Sequence, residues 1–286
     1  MTESTAPSLA IVTVGYRSAG PLAGMLASIP AATSRPVMIV VADNLPGADD
    51  TPGVVGAIGG DYVAMTQNLG YGGAVNAAVT RLPGVVEWIL VTNPDVTFHP
   101  EAIDRLREVG EADPHVGAVG PLVRNADGTP YPSARAIPGL GVGVGHAVLA
   151  PVWPGNPWTR RYHAATAVDA ERDAGWLSGS CVLVRRSAFE EVGGFDPDFF
   201  MYFEDVDLGV RLARAGWRNR FTPVAEVTHT GGHSTEGESD AMVQAHHRSA
   251  ERFLAKKYPG PLWWPVRASL AIGLRVRAGL SRRRRR

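Results

Sequence analysis

Four acidic or polar clusters and one histidine pair carry the side chains that chemistry needs. Asp43-Asn44 directly follows an apolar run. A carboxylate there can accept an N–H from the edge of a pyrimidine base, although the pair also reads as a turn before Leu45-Pro46-Gly47. Asn68-Leu69-Gly70-Tyr71-Gly72-Gly73 precedes a helical pattern containing Asn76. Its glycines let backbone approach a ligand closely, and a helix N-terminus favours an anion. The run lacks the Gly-Lys-Ser/Thr of a phosphate loop, and Val75 stands where a dinucleotide fingerprint needs its third glycine. Thr92-Asn93-Pro94-Asp95 closes another apolar run, and Pro94 forbids the strand to continue. A carboxylate at Asp95 can hold Mg²⁺ or Mn²⁺ bridging a diphosphate, because hard cations take oxygen ligands and often only one or two from protein; an Asn-Pro-Asp turn is the plainer reading.

Glu204-Asp205-Val206-Asp207 opens a helix after Phe199-Phe200-Met201-Tyr202-Phe203. Acids in a first turn oppose the macrodipole in any helix. Five large, mostly aromatic residues ahead of them can desolvate a carboxylate and raise its basicity. His229 and His233 flank Thr-Gly-Gly, and the glycines argue against the helical i, i+4 spacing of a zinc site. One histidine helping to hold a divalent ion suits that loop better.

These clusters need elements to carry them. Apolar runs at Leu9–Val14, Val37–Ala42, Tyr62–Met65, Trp88–Val91 and Val116–Val123 predict strands, and Pro21–Ile29, Gly72–Arg81 and Pro100–Ala112 predict helices. Pro21 and Pro100 are expected at first helical positions, where a missing N–H costs nothing. The alternation predicts an α/β fold with a doubly wound, mostly parallel sheet, whose ligands collect at the carboxyl ends of strands. The clusters at Asp43, Asn68 and Asn93 fall at such ends. Beyond a turn at Asn125–Gly128 and a Gly/Pro-rich stretch from Pro138 to Pro157, a strand is expected over Gly175–Arg185 and a helix over Asp205–Ala215. A loop is expected over Gly231–Glu238, and a helix capped by Ser239 over Ser239–Lys257.

Composition bounds the rest. The 286 residues suit one large α/β domain, expected over residues 1–258, with an appended segment over 259–286. The single Cys181 leaves no intramolecular disulfide, suits a reducing cytoplasm, and lies in an apolar run that predicts burial. No uncharged apolar stretch reaches 18 residues, which excludes a spanning helix of ordinary length. Net charge is zero, yet eight of the 28 basic residues are arginines between Arg267 and Arg286, where no acid occurs; 20 basic against 28 acidic residues remain before them. An acidic body therefore carries a basic, Trp-containing segment, in which Trp263-Trp264 and the arginines are expected to dock on an anionic membrane surface rather than on nucleic acid.

Taken in order, Ile11-Val12-Thr13-Val14, Asp43-Asn44, Asn68 to Asn76, Asn93-Pro94-Asp95, Trp176-Leu177-Ser178-Gly179-Ser180 and Phe203 to Leu208 resemble family 2 glycosyltransferases of GT-A fold, over about residues 9–255. Tyr131-Pro132-Ser133-Ala134-Arg135 and Trp153-Pro154-Gly155-Asn156-Pro157-Trp158 are most similar to bacterial rhamnosyltransferases, in particular those of mycobacteria that act on N-acetylglucosaminyl-diphosphodecaprenol in cell-wall linker synthesis. The resemblance implies an inverting transfer from dTDP-β-L-rhamnose to a lipid-linked saccharide, at the cytoplasmic face of the plasma membrane. It implies Thr13, Val14, Asp43, Asn68, Gly70, Asn76 and Asn93 at the donor, and Trp176, Ser178 and Gly179 at the acceptor. It further implies Asp95 with His229 at a divalent cation (Mg²⁺ or Mn²⁺), and Asp205, with Glu204 as the alternative, as general base. The chain departs from the family's metal motif in having Asn93 where an acid is usual, which bears on metal affinity.

Three other readings define the tests. Another donor such as UDP-galactofuranose separates by direct donor assay. A non-catalytic nucleotide-sugar or glycan-binding homologue would not need both a base and a metal carboxylate. A dinucleotide-dependent oxidoreductase lacks its fingerprint here.

Overall fold

The computed structural model describes residues 7–137, 153, 157, 167–231 and 239–265. Its first half is the expected alternation with two elements more: β1 (Leu9–Gly15), α1 (Ala19–Ala32), β2 (Met38–Asp43), α2 (Thr51–Gly56), β3 (Asp61–Ala64), α3 (Gly70–Val79), β4 (Trp88–Thr92), β5 (Val96–Phe98) and α4 (Ala102–Glu111), of which α2 and β5 are the two additions. There follow β6 (Val116–Arg124), β7 (Pro130–Tyr131), β8 (Ala134–Arg135), β9 (Arg172–Ala174), β10 (Trp176–Leu177), β11 (Cys181–Arg185), α5 (Arg186–Glu191), α6 (Glu204–Arg214), β12 (Arg218–His229) and α7 (Ser239–Lys257). The main sheet runs β3-β2-β1-β4-β11-β6-β12-β5, with β7 beside β6 and β9 beside β12; β8 and β10 form a separate ribbon.

Parallel pairing sets the register that builds the site. Gly15 lies beside Asp43, Asp43 beside Ala64, and Thr13 beside Thr92, so four strands finish along one edge. Side chains of β1 alternate between two cores. Ala10, Val12 and Val14 pack with Ala74, Val75 and Ala78 of α3, whereas Leu9 and Ile11 pack with Leu22 and Met25 of α1 and Leu106 of α4. A smaller cluster of Phe199, Val206 and Phe253 joins α6 to α7.

Several expectations require correction. The run 175–185 is two strands, because the chain turns at Ser178 (Cys181 N donates to Ser178 O, 3.3 Å) and β10 leaves to pair with β8. The second piece, β11, then inserts antiparallel between β4 and β6, so Val116–Val123 does not adjoin the first-half strands. Pro21 is the third helical residue, since α1 opens at Ala19; its missing N–H still falls in the first turn, where no intrahelical acceptor exists. Pro100 lies outside α4, which begins only after Glu101 takes a left-handed conformation (φ 62°). The twelve-residue β12 escapes the sequence pattern because it contains Pro223; the register shift between Thr222 and Glu226 is the bulge that accommodates it. Cys181 is buried and free, and burial pushes its thiol up to about 12. His233, the loop residues 232–238, the Gly/Pro-rich stretch, the Ser239 cap side chain and the arginines from 267 onward lie outside the described residues.

Candidate active site

The shared strand edge brings the clusters together from the bottom up. Asp43 ends β2 almost fully buried, and its carboxylate accepts from Leu45 N (2.9 Å) and from the Tyr62 hydroxyl (2.8 Å). Burial, then the Asp43 carboxylate, pushes that hydroxyl to about 12, so Tyr62 stays a donor. Asn44 braces the glycine loop: its amide nitrogen donates to Gly70 O (3.0 Å) and its oxygen accepts from Leu69 N (3.1 Å). Asn68 closes the same turn by accepting from Gly70 N at 2.9 Å. Gly70 is required there, since its φ is +72° and a Cβ would lie 1.9 Å from Phe200 O.

The other donor-side residues are placed differently. Thr13 and Val14 turn into the cores rather than toward the edge, and the Thr13 hydroxyl is buried without a hydrogen-bond partner. A ligand at this strand end would meet the main chain past Gly15, with Tyr16 and the exposed Arg17 beyond it. Asn76 exchanges both ends of its amide with Phe195 backbone (2.7 and 2.9 Å), so it fastens α3 to the loop before α6. Its influence on a donor would pass through that loop.

At the end of β4, Asp95 Oδ1 lies 3.1 Å from His229 Nε2, and Asn93 Nδ2 lies 3.2 Å from the same nitrogen. One imidazole nitrogen cannot both donate to a carboxylate and accept from an amide N–H. With Nε2 unprotonated, the Asn93 amide donates to it, and Nε2 and the Asp95 carboxylate both present lone pairs that suit a divalent cation. No group of three His, Cys, Asp or Glu occurs among the described residues that could hold a metal, so the remaining positions would fall to substrate and water.

The acid pair sits on the first turn of α6. Tyr202 and Phe203 both take left-handed backbone (φ 67° and 66°), conformations that large side chains rarely adopt and that cluster at functional sites. The strained run is held by the Ser249 hydroxyl donating to Met201 O (2.7 Å) and by the His246 ring against both Tyr202 and Phe203. It delivers two carboxylates into unlike settings. Glu204 is buried, and its Oε2 has no hydrogen-bond partner; burial, then the charge of Asp205, raises it to about 8. Asp205 keeps part of its surface open and accepts from Gly179 N (3.0 Å) and Val206 N (2.8 Å). Burial raises it too, opposed by those N–H donors and the charge of Arg135. Hydrogen bonds to the ionised form favour it, so of the two acids it is Asp205 whose charge the surroundings support. Asp207 is committed elsewhere, bonded to Arg211 (2.6 Å) and Lys256 (2.5 Å).

Gly179-Ser180 ties the halves together. Gly179 N reaches Asp205, while Ser180 O accepts from Asn93 N at 2.9 Å. Ser178 is spent locally, its hydroxyl 3.0 Å from that of Ser180. Trp176 stands behind them with its indole N–H on Ala136 O (3.2 Å). Two further residues were not singled out from the sequence. Tyr71 donates to Gly179 O at 2.6 Å, and its hydroxyl is raised well above the usual range by burial, then by the charges of Glu204, Asp205, Cys181 and Asp95. One ring therefore lies within the field of both the acid pair and Asp95. Arg135 lies between the Tyr131 and Trp176 rings. Both lay within motifs already quoted, but nothing in their spacing separates them from ordinary loop residues.

Comparisons with known proteins show the family and the fold. A family model described as glycosyltransferase like family 2 matches residues 7–251. N-acetylglucosaminyl-diphospho-decaprenol L-rhamnosyltransferase of Mycobacterium tuberculosis (strain CDC 1551 / Oshkosh) is 46% identical over 298 aligned positions, covering 97% of this chain and 96% of that protein. Rhamnosyltransferase WbbL of Escherichia coli K12 is 40% identical over 82 residues, 29% of this chain and 31% of its own. Among solved structures, the mannosyltransferase PcManGT from Pyrobaculum calidifontis, in complex with GDP-Man and Mn²⁺, is similar with a TM-score of 0.61 at 18% identity, covering 93% of this chain and 69% of that one; at that identity the likeness is one of fold.

Proposed function

The chain belongs to glycosyltransferase-like family 2, and from that premise we propose that it transfers L-rhamnose from dTDP-β-L-rhamnose to N-acetylglucosamine carried on a polyprenyl diphosphate, inverting the anomeric carbon. The observation that carries the reading is Asp205, part-exposed and hydrogen-bonded by Gly179 N–H, whose neighbour Ser180 accepts from Asn93 N at the Asp95–His229 pair. The specificity is that of the Mycobacterium tuberculosis relative, which matches along nearly the whole chain.

Asp95 and His229, with Asn93 alongside, would hold the divalent cation, and a bound cation supplies Lewis-acid stabilisation of the departing nucleoside diphosphate. Asp205 takes the proton from the acceptor hydroxyl as its oxygen attacks the face opposite the diphosphate. The new C–O bond forms as the old one breaks, and its electron pair leaves on the diphosphate. One displacement gives one inversion, so the product is the α-L-rhamnoside. No protein nucleophile is needed. Glu204 is the alternative base; its burial and unpartnered Oε2 favour Asp205 for the role. Asp43, Asn68 and Gly70 line the strand edge for the nucleoside and diphosphate, and Trp176, Ser178 and Gly179 lie on the acceptor side of Asp205.

A lipid-linked acceptor supports a peripheral position on the cytoplasmic membrane face. No helix among the described residues is long and apolar enough to cross a membrane. Leu262, Trp263 and Trp264, on and just after a short 3₁₀ turn, are exposed, which suits them for the headgroup region.

A transfer assay offering dTDP-rhamnose, UDP-galactofuranose and other nucleotide sugars with a short-chain polyprenyl-diphosphate N-acetylglucosamine tests the reading. The expected product is an α-rhamnoside from dTDP-rhamnose alone, lost on adding EDTA and restored by Mg²⁺ or Mn²⁺. Asp95→Ala should weaken Mn²⁺ binding and donor binding together, as read by calorimetry. Transfer insensitive to chelation would remove the metal role from Asp95 and His229.

A further inference from the structure

We propose that Arg135 binds the diphosphate of the lipid-linked acceptor, so that it recognises the acceptor's leash rather than its sugar. The inference rests on the transferase reading above.

Arg135 is built as a receptor for an anion. It ends β8, where Arg135 pairs with Trp176 of β10. Its Nε donates to Pro132 O at 2.7 Å, which fixes the base of the guanidinium. Its Cζ lies 5.3 Å from the Tyr131 ring centroid and 5.6 Å from that of Trp176. The Trp176 ring is itself held by its indole N–H on Ala136 O (3.2 Å). Stacking and one backbone bond thus pre-set a side chain that normally loses much rotamer freedom on binding.

What this clamp leaves unused is the forked edge. Among the described residues no carboxylate pairs with Arg135, whereas Arg124, Arg211, Arg218 and Arg220 each bond one. A fixed guanidinium whose terminal nitrogens bond nothing among the described residues matches two oxygens of a phosphate. Its position selects which phosphate. The charge of Arg135 reaches Asp205, and Gly179, which bonds Asp205, follows β10 directly. The donor diphosphate would already have the Asp95–His229 cation. On the Asp205 side, the anion at hand is the acceptor's own diphosphate, one sugar ring from the hydroxyl that Asp205 deprotonates.

The test crosses Arg135→Gln and Arg135→Lys with two acceptors: farnesyl-diphosphate-linked N-acetylglucosamine and an alkyl N-acetylglucosaminide without phosphate. Hydrogen bonds to a charged group are worth about 1.5–3 kcal/mol, so Arg135→Gln should lower kcat/KM on the diphosphate acceptor by about 10- to 100-fold, chiefly through KM. The loss on the phosphate-free glycoside should be much smaller, donor KM should not move, and Arg135→Lys should recover part of the loss. Equal losses on both acceptors would make Arg135 a support of the fold or of Asp205, and a rise confined to donor KM would give it to the donor diphosphate; either overturns the inference. Calorimetry with the farnesyl-diphosphate acceptor, donor absent, separates the two readings. Arg135-dependent binding without rhamnosyl transfer sinks the donor assignment and keeps this inference. Transfer by wild type with equal acceptor binding by Arg135→Gln does the reverse.

Discussion

At the residue scale, the two acids at the head of α6 divide one task through their surroundings. Adjacent in sequence and alike in chemistry, they differ because Asp205 receives two backbone N–H groups while a Glu204 oxygen receives none. Asp205→Asn keeps volume and removes the base, so transfer should fall by about 10²–10⁴ while calorimetry still detects the donor. Full turnover in that variant would dismiss Asp205. Glu204 makes a separate, thermodynamic prediction. Its folded pKa, near 8, exceeds the ordinary value of 4.5, so between those values the folded state binds more protons than the unfolded state. Stability therefore falls as pH rises through that window. Thermal melts from pH 5 to 9 should show a declining Tm in the wild type, and Glu204→Gln should flatten the decline. A slope unaffected by Glu204→Gln would place the titrating group elsewhere.

At the scale of elements, the site depends on close packing between the glycine loop and the aromatic run before α6. Gly70 and Gly59 both have positive φ, but a Cβ at Gly59 would meet nothing within 4 Å, whereas one at Gly70 would collide with Phe200 O. Gly59→Ala should cost only the conformational term, about 1–2 kcal/mol. Gly70→Ala should cost clearly more by urea denaturation and should also slow transfer, because moving Phe200 moves the turn that presents Asp205. Equal costs would mean that the loop relaxes freely. The same elements mark what the sequence made legible. Asp43, Asn68, Asn93 and Asp95 were readable because strand ends carry turn chemistry, and parallel pairing puts those ends on one edge. The β8–β10 ribbon was not, because two-residue strands leave no period to detect. β12 was masked by Pro223, and with it the pairing of β12 with β5, His229 opposite Val96 one residue past Asp95. Thr13 and Asn76 entered only through the family resemblance, and the packing shows one turned into a core and the other bound to Phe195.

At the scale of the whole molecule, charge is segregated: a body short of eight positive charges and a segment, Arg267 to Arg286, that supplies them. Two destinations compete for those arginines, the acidic body itself and an anionic bilayer. The aromatic residues ahead of them favour the bilayer. Leu262 is 91% exposed and Trp264 63%, and Trp263 rests against Tyr258 at the end of α7 with its rings 5.1 Å apart. Apolar surface left open beside a basic segment gains from headgroup contact in a way that an acidic protein face does not offer. Each arginine near an anionic leaflet contributes about 1 kcal/mol, so three engaged together would raise vesicle affinity about 100-fold. Deleting residues 263–286 should therefore release the protein from vesicles rich in phosphatidylglycerol and slow transfer to long-chain polyprenyl acceptors. Transfer to a short, water-soluble acceptor should fall far less, since Asp205, Asp95 and Arg135 all lie in the body. Raising salt should mimic the deletion on vesicles, because screening acts on exposed charges. Co-sedimentation with anionic and with phosphatidylcholine vesicles measures both effects, and equal binding of the full-length and shortened proteins to the anionic vesicles would assign the arginines to the body instead.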